Sequence, residues 1–257
     1  MMKKPNIAII YFPGSQCETE SLEAVKAAGM DAKILRWNTD QNLSAFDGFI
    51  IPGGWAYEDR IRAGVIPAKD PVMNVVKDEA RKGKPVLGIC NGAQILIETG
   101  IVPGLKDKVQ FALAQNKNPF IDGYYNTWVY LKHAQMPNKT AYTSFSKNEI
   151  FHMPIAHGEG RFVTKEKGLI EQLKKNGQII FQYCDPTGNV EDQFPTNPNG
   201  AMENIAALSN TDGNVLAVMP HPERAIWQRN IPNAKKLDRP TKALKIFVSM
   251  KKYIQKR

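Results

Sequence analysis

Apolar positions along this chain fall into two alternating textures. Short unbroken runs rich in Ile and Val, such as Asn6–Phe12, Gly48–Ile51 and Val86–Ile89, have the pattern of strands buried on both faces of a parallel sheet. Between them the apolar residues fall three and four apart. Glu18 to Gly29 carries Leu22, Val25 and Ala28 and stops at a glycine; Pro71–Lys82 opens at Asp70-Pro71 and closes at Gly83; Asn91–Thr99 closes at Gly100. These are amphipathic helices with N-terminal proline or C-terminal glycine signals. With Asp31–Leu35 as a further strand, strand and helix alternate strictly, which predicts an α/β fold with a doubly wound parallel sheet.

From 109 to 162 the texture changes. Thr127–Leu131 alternates as an antiparallel strand does, among loops rich in Asn, Pro and Lys. Ile179–Tyr183, Ile205–Leu208 and Val215–Met219 read as further strands, and Pro240–Ile254 as an amphipathic C-terminal helix through Leu244, Phe247, Met250 and Ile254. Pro186 to Gly200, dense in Pro, Gly and Asn, predicts an ordered loop or a lid. No repeat or linker divides the chain, so residues 1–257 are expected to form a single domain.

Composition narrows the class. Of 257 residues 42% are hydrophobic and 23% charged, enough apolar material for a packed core. The net charge of +9 favours acidic partners. Yet the basic residues are scattered, with only short pairs at Lys3–Lys4, Lys174–Lys175, Lys235–Lys236 and Lys251–Lys252, so no nucleic-acid interface is expected. Cys17, Cys90 and Cys184 are too few for a disulfide framework, which points to a reducing, cytoplasmic setting. The first apolar run is too short to span a bilayer and ends at Pro13-Gly14, so neither a membrane anchor nor a signal peptide is expected.

The strongest chemical signal is Gly88-Ile-Cys90-Asn-Gly92, a buried strand turning into a helix with small residues around a cysteine. This is a nucleophile elbow with Cys in place of Ser. At a helix N-terminus the thiolate is favoured, and the N–H of Asn91 points where an oxyanion would form. A base stands late in the chain: Met219-Pro-His221-Pro-Glu223 follows a predicted strand, and the two prolines hold His221 and Glu223 on one side, where the carboxylate can orient the imidazole. Pro52-Gly53-Gly54 ends another strand at the same sheet edge and can form an anion-binding nest. Taken singly, Cys90 equally fits a buried structural thiol, His221-Pro-Glu223 a solvated turn, and Gly53-Gly54 an ordinary turn. Cys17 and Cys184 read as bystanders.

Together these motifs resemble those of the triad, or class I, glutamine amidotransferases, whose fold is flavodoxin-like. More narrowly, Pro52–Asp59, the Cys90 elbow with Asn91, Ile155-Ala-His-Gly-Glu-Gly-Arg-Phe162, and Asn197–Gly200 through Arg224 look like the glutaminase subunits of phosphoribosylformylglycinamidine synthases. The resemblance implies Cys90 as nucleophile, His221 as general base and then acid, and Glu223 as its orienting group. It also implies oxyanion N–H groups near Gly53, Gly54 and Asn91, and Gln94 lining the glutamine pocket. Glutamine would be hydrolysed through a glutamyl thioester with no metal or cofactor in this chain. Phosphate-binding loops are absent from the sequence, so the ammonia would pass to an ATP- and Mg-dependent synthetase subunit; a small accessory subunit is a further expected partner. Two rival readings are a triad subunit serving another synthetase, and a basic nucleic-acid-binding protein with a structural Cys90. Ile226 to Arg239 has no place in the motif pattern.

Overall fold

The buried runs pair edge to edge in one large sheet. The computed structural model describes residues 3–106, 108–121, 123–234 and 239–257. In chain order, β1 (Asn6–Tyr11), α1 (Glu18–Ala27), β2 (Asp31–Arg36), β3 (Gly48–Ile51), α2 (Pro71–Arg81), β4 (Val86–Ile89) and α3 (Asn91–Glu98) follow the predicted alternation. Next come β5 (Ala112–Ala114), β6 (Tyr125–His133), β7 (Ile150–His157), β8 (Arg161–Val163), α4 (Leu169–Asn176), β9 (Ile179–Cys184), β10 (Ile205–Ser209), β11 (Val215–Val218) and α5 (Leu244–Gln255). Each helix start has a local cause where the sequence signals one: Asp70 accepts a hydrogen bond from Val72 N at 3.0 Å and Pro71 occupies the first turn of α2.

The sheet runs β2-β1-β3-β4-β11-β10-β9-β6-β7, with a separate antiparallel pair β5-β8. β2, β1, β3, β4 and β11 are mutually parallel, and in chain order their arrangement is the flavodoxin-like 2-1-3-4-5. All positions of β3, β4 and β11 are buried, as both-face coverage requires.

Beyond β11 the sheet departs from the parallel expectation. β10 pairs antiparallel with β11 (Ala207↔Val218, Ser209↔Leu216), and β9, β6 and β7 continue antiparallel. The cause is the 210–214 connection, too short to carry a strand back over the sheet as a parallel crossover demands. Thr127–Leu131 lies inside β6 with the expected direction.

The 186–200 segment is an ordered loop. The Asn197 amide donates to Ala201 O at 2.9 Å, and that of Asn199 donates to Gly160 O at 2.9 Å, both from buried side chains. The two ends of the unassigned 226–239 stretch meet, with Gln228 N donating to Arg239 O at 2.9 Å and a bridge between Trp227 and Pro240. Lys235–Lys236 lies outside the described residues. Among the described residues no helix is long and apolar enough to cross a membrane.

Glu79 on α2 is 2% exposed. Its carboxylate meets Lys82 Nζ and Lys84 Nζ at 2.6 Å each and accepts from Ser44 Oγ at 2.8 Å. The two lysines hold its pKa at about 2, down from 4.5. A depressed folded pKa contributes stability that is present above the unfolded value and lost as pH falls through the folded one. Glu79→Gln is therefore expected to lower unfolding free energy at neutral pH by about 1–2 kcal/mol, a figure reduced for the solvent exposure of Lys82. Urea melts between pH 4.5 and 2 should show a flatter acid limb in the variant; an unchanged limb would contradict the role given to Glu79.

Candidate active site

β4 delivers Cys90 to the carboxyl edge of the parallel strands, between β3 and β11. Its backbone takes φ 51° and ψ −107°, a conformation that L-residues hold only when the surroundings enforce it. Two glycines permit the elbow. A Cβ on Gly92 would overlap the Ile51 carbonyl of β3, and one on Gly88 would run into the Gly92 carbonyl and the Leu96 side chain. Cys90 N donates to Val218 O at 2.8 Å, stitching the elbow to β11, and the thiol lies 3.6 Å from Ala156 O on β7.

His221 follows directly from β11 and is held by its own N–H, which donates to Pro154 O at 2.8 Å. Its Nδ1 stands 2.6 Å from Glu223 Oε1, the orienting contact that the two-residue spacing predicted. Both side chains are buried, each residue 2% exposed. Burial by itself disfavours an imidazolium here, but the charges of Glu223 and Cys90 and the contact with Cys17 outweigh it, and His221 sits well above the ordinary histidine range. Nε2 is buried without a hydrogen-bond partner.

Gly53 is the meeting point. A Cβ there would lie 2.8 Å from His221 Cε1, 3.2 Å from Cys17 Sγ and 3.4 Å from Cys90 Cβ. The turn after β3 thus lies against both the expected nucleophile and the expected base. Cys17, a bystander on the sequence alone, is packed in the same cluster, its Sγ 3.9 Å from His221 Nδ1. Cys184 fits the bystander reading better: it is buried on β9, and burial pushes its thiol up to about 12.

A cavity of about 250 Å³ opens on Cys90, walled by Gly54, Trp55, Asp59, Gln94, Tyr124 and the 156–159 turn. Asn91 and Gln94 serve its walls through their side chains. The Asn91 carbonyl oxygen accepts from Ala56 N at 3.0 Å, and its amide donates to Asp59 Oδ1 at 2.9 Å and Gln94 Oε1 at 2.8 Å. Gln94 Nε2 donates to Glu159 O at 2.6 Å. The backbone N–H of Asn91 opens α3, where first-turn amides have no intrahelical acceptor. Trp55 and Tyr124, 41% and 48% exposed, face each other at the rim with ring centroids 5.8 Å apart.

Three wall residues appear in the sequence motifs but carry no role there. Asp59 is raised to about 6, chiefly by burial and further by the charge of Glu159, against the hydrogen bond from Asn91. Glu159 lines the same cavity and accepts from Ala63 N at 3.2 Å. His157 is lowered to about 3 by burial and by the charge of His221, and its Nδ1 meets Asn116 Oδ1 at 3.0 Å. It is therefore a neutral wall near pH 7. The signal for the acids was present in the Trp55–Asp59 and His157–Arg161 runs, but neither spacing says that the two meet.

The arrangement supplies a thiol on a strained turn, an oriented imidazole and amides at a helix start, the parts of acyl transfer through a covalent intermediate. Residues 4–254 match the CobB/CobQ-like glutamine amidotransferase domain. A relative from Methanothrix thermoacetophila named phosphoribosylformylglycinamidine synthase subunit PurQ is 47% identical over 98% of this chain and 98% of its own. Another of that name, from Methanocaldococcus jannaschii, is 41% identical over 85% of this chain and 89% of its own. The solved structure of PurLQS from Thermotoga maritima has a chain that matches with TM-score 0.75 and 31% identity, covering 98% of this chain and 99% of that one. A putative GMP synthase component from Thermoplasma acidophilum shares the fold alone, with TM-score 0.55 and 13% identity over 100% of this chain and 96% of that one. This chain belongs to the CobB/CobQ-like glutamine amidotransferase family.

Proposed function

We propose that this chain is a single-domain cytoplasmic glutaminase that feeds ammonia to a phosphoribosylformylglycinamidine synthase. The observation that carries the chemistry is the convergence of Cys90, His221 and Gly53 at one point, with Glu223 behind the imidazole, beside a cavity of amino-acid size. The relatives named as subunits of that synthase, matched nearly end to end, support the choice of partner. The synthetase subunit, with its ATP and Mg²⁺, and a small accessory subunit complete the assembly in this reading.

With the thiol proton already transferred to His221, Cys90 attacks the side-chain amide carbon of glutamine. The oxyanion of the tetrahedral intermediate accepts from the Asn91 amide and the Gly53-Gly54 turn. His221 returns the proton to the departing ammonia, leaving a glutamyl thioester, then activates water to release glutamate. Glu223 keeps the imidazole oriented throughout and stabilises its charged form. Gln94 and Asn91 hold the pocket wall in register with the nucleophile. The carboxylates of Asp59 and Glu159 give the pocket negative charge, matched to the α-ammonium of an amino-acid substrate. Ammonia protonated in bulk water is no longer a nucleophile, so the product is used by a docked partner.

Glutamate release from glutamine, assayed with and without the synthetase subunit, ATP and formylglycinamide ribonucleotide, tests the reading. Cys90→Ala is expected to reduce it by about a thousandfold or more, while the synthetase raises the wild-type rate. Activity that survives the substitution would remove Cys90 as nucleophile.

The wall carboxylates are tested separately. Asp59→Asn and Glu159→Gln are expected to raise KM for glutamine about 10- to 100-fold with a much smaller change in kcat, the size of one lost charged hydrogen bond. The wild type should discriminate against glutaramate, which lacks the α-amino group, and the variants should lose most of that discrimination. Equal discrimination in variant and wild type would place the ammonium elsewhere.

A further inference from the structure

One cysteine that the hydrolytic cycle does not use, Cys17, completes a donor set with the His221–Glu223 pair. Cys17 Sγ, a nitrogen of His221 and a carboxylate oxygen of Glu223 all lie within 4.8 Å of one another, and all three residues are buried. Glu223 Oε2 is buried with no hydrogen-bond partner. Thiolate, imidazole and carboxylate are together the ligands of zinc sites. Tetrahedral zinc holds a sulfur and a nitrogen ligand about 3.5 Å apart, near the 3.9 Å between Sγ and Nδ1. The 2.6 Å contact of Nδ1 with Oε1 has only to open by about 0.7 Å to admit the ion at bond lengths near 2 Å.

We propose that Cys17, His221 Nδ1 and Glu223 form an inhibitory site for a thiophilic divalent cation, zinc being the type. Binding displaces to solvent the thiol proton of Cys17 and any second proton on His221, with no oxidation. The imidazole left behind is neutral and carries its one proton on Nε2. A metallated His221 therefore cannot accept the proton of Cys90, and Glu223 is withdrawn from its orienting role. Cys17 is not on the wall of the cavity, so the cation sits behind the imidazole and leaves the substrate space open. Inhibition is then expressed in kcat, and added glutamine does not relieve it. This consequence rests on the glutaminase reading; the binding of the ion does not.

The test is zinc affinity of the full chain by competition with a chromophoric chelator, in the wild type and in Cys17→Ser, Cys17→Ala, Cys90→Ala and Cys184→Ser. One zinc per chain is expected, weakened about tenfold or more in both Cys17 variants and changed by less than about twofold in the other two. Far-UV circular dichroism of each variant verifies its fold, and having two substitutions at Cys17 guards against one failing to fold. Wild-type affinity in both Cys17 variants overturns the proposal, as does an equal loss in Cys90→Ala, which would put the cation on the nucleophile. In the glutaminase assay zinc should lower kcat at unchanged KM, a chelator should restore it, and Cys17→Ser should need more zinc by the factor seen in binding. A wild type that binds zinc in this way but releases no glutamate would sink the proposed function and leave the metal site standing.

Discussion

A single close approach governs the site: the first turn of α3 passes so near the Ile51 carbonyl at the end of β3 that only hydrogen fits on Gly92. Two adjacent parallel strands are thereby forced to end at the same depth, and the residues beyond them meet. The left-handed backbone of Cys90 is the local cost of that turn. It is offset by the Val218 hydrogen bond and by Asn91, whose one side chain ties the 52–59 turn, α3 and the cavity wall together. Replacing any of these contacts moves the thiol relative to the imidazole, because both are packed on Gly53.

The site also keeps two buried imidazoles in opposite protonation states. His221 has a carboxylate on Nδ1, and its cationic form outweighs the desolvation cost. His157 has an amide oxygen on Nδ1, and with His221 charged nearby it stays neutral. Burial lowers both; the charges beside His221, chiefly that of Glu223, set the difference.

Much of this was legible in the residues. Buried runs, Asp-Pro starts and glycine stops located the parallel strands and their helices, and the small residues around Cys90 marked the elbow. The His221-Pro-Glu223 spacing encoded the 2.6 Å contact directly. Less visible was whatever depends on strands far apart in sequence. In the antiparallel half the alternation of Thr127–Leu131 marked β6, but β9 and β10 were hidden because a buried strand reads the same in either direction; the brevity of the 210–214 connection is what betrays β10. Asp59 and Glu159 sit in turns and His157 at the end of β7, and their meeting is decided by sheet order; Cys17, at a helix start after β1, read as a bystander. Resemblance to a family supplied the partner and substrate class, which no periodicity contains.

The position of β11 has a consequence for the order of events during synthesis. β4 is paired on one side by β3 and on the other by β11, which begins only at Val215. While the ribosome adds everything between, the β4 edge beside Cys90 has no strand to pair with, a state prone to misassembly. Insertion of β11 closes that edge and, within the same few residues, carries His221 to the thiol. In the proposed glutaminase the nascent chain therefore holds an unactivated cysteine until its sheet is complete, and acquires its reactivity at the moment it loses its exposed edge.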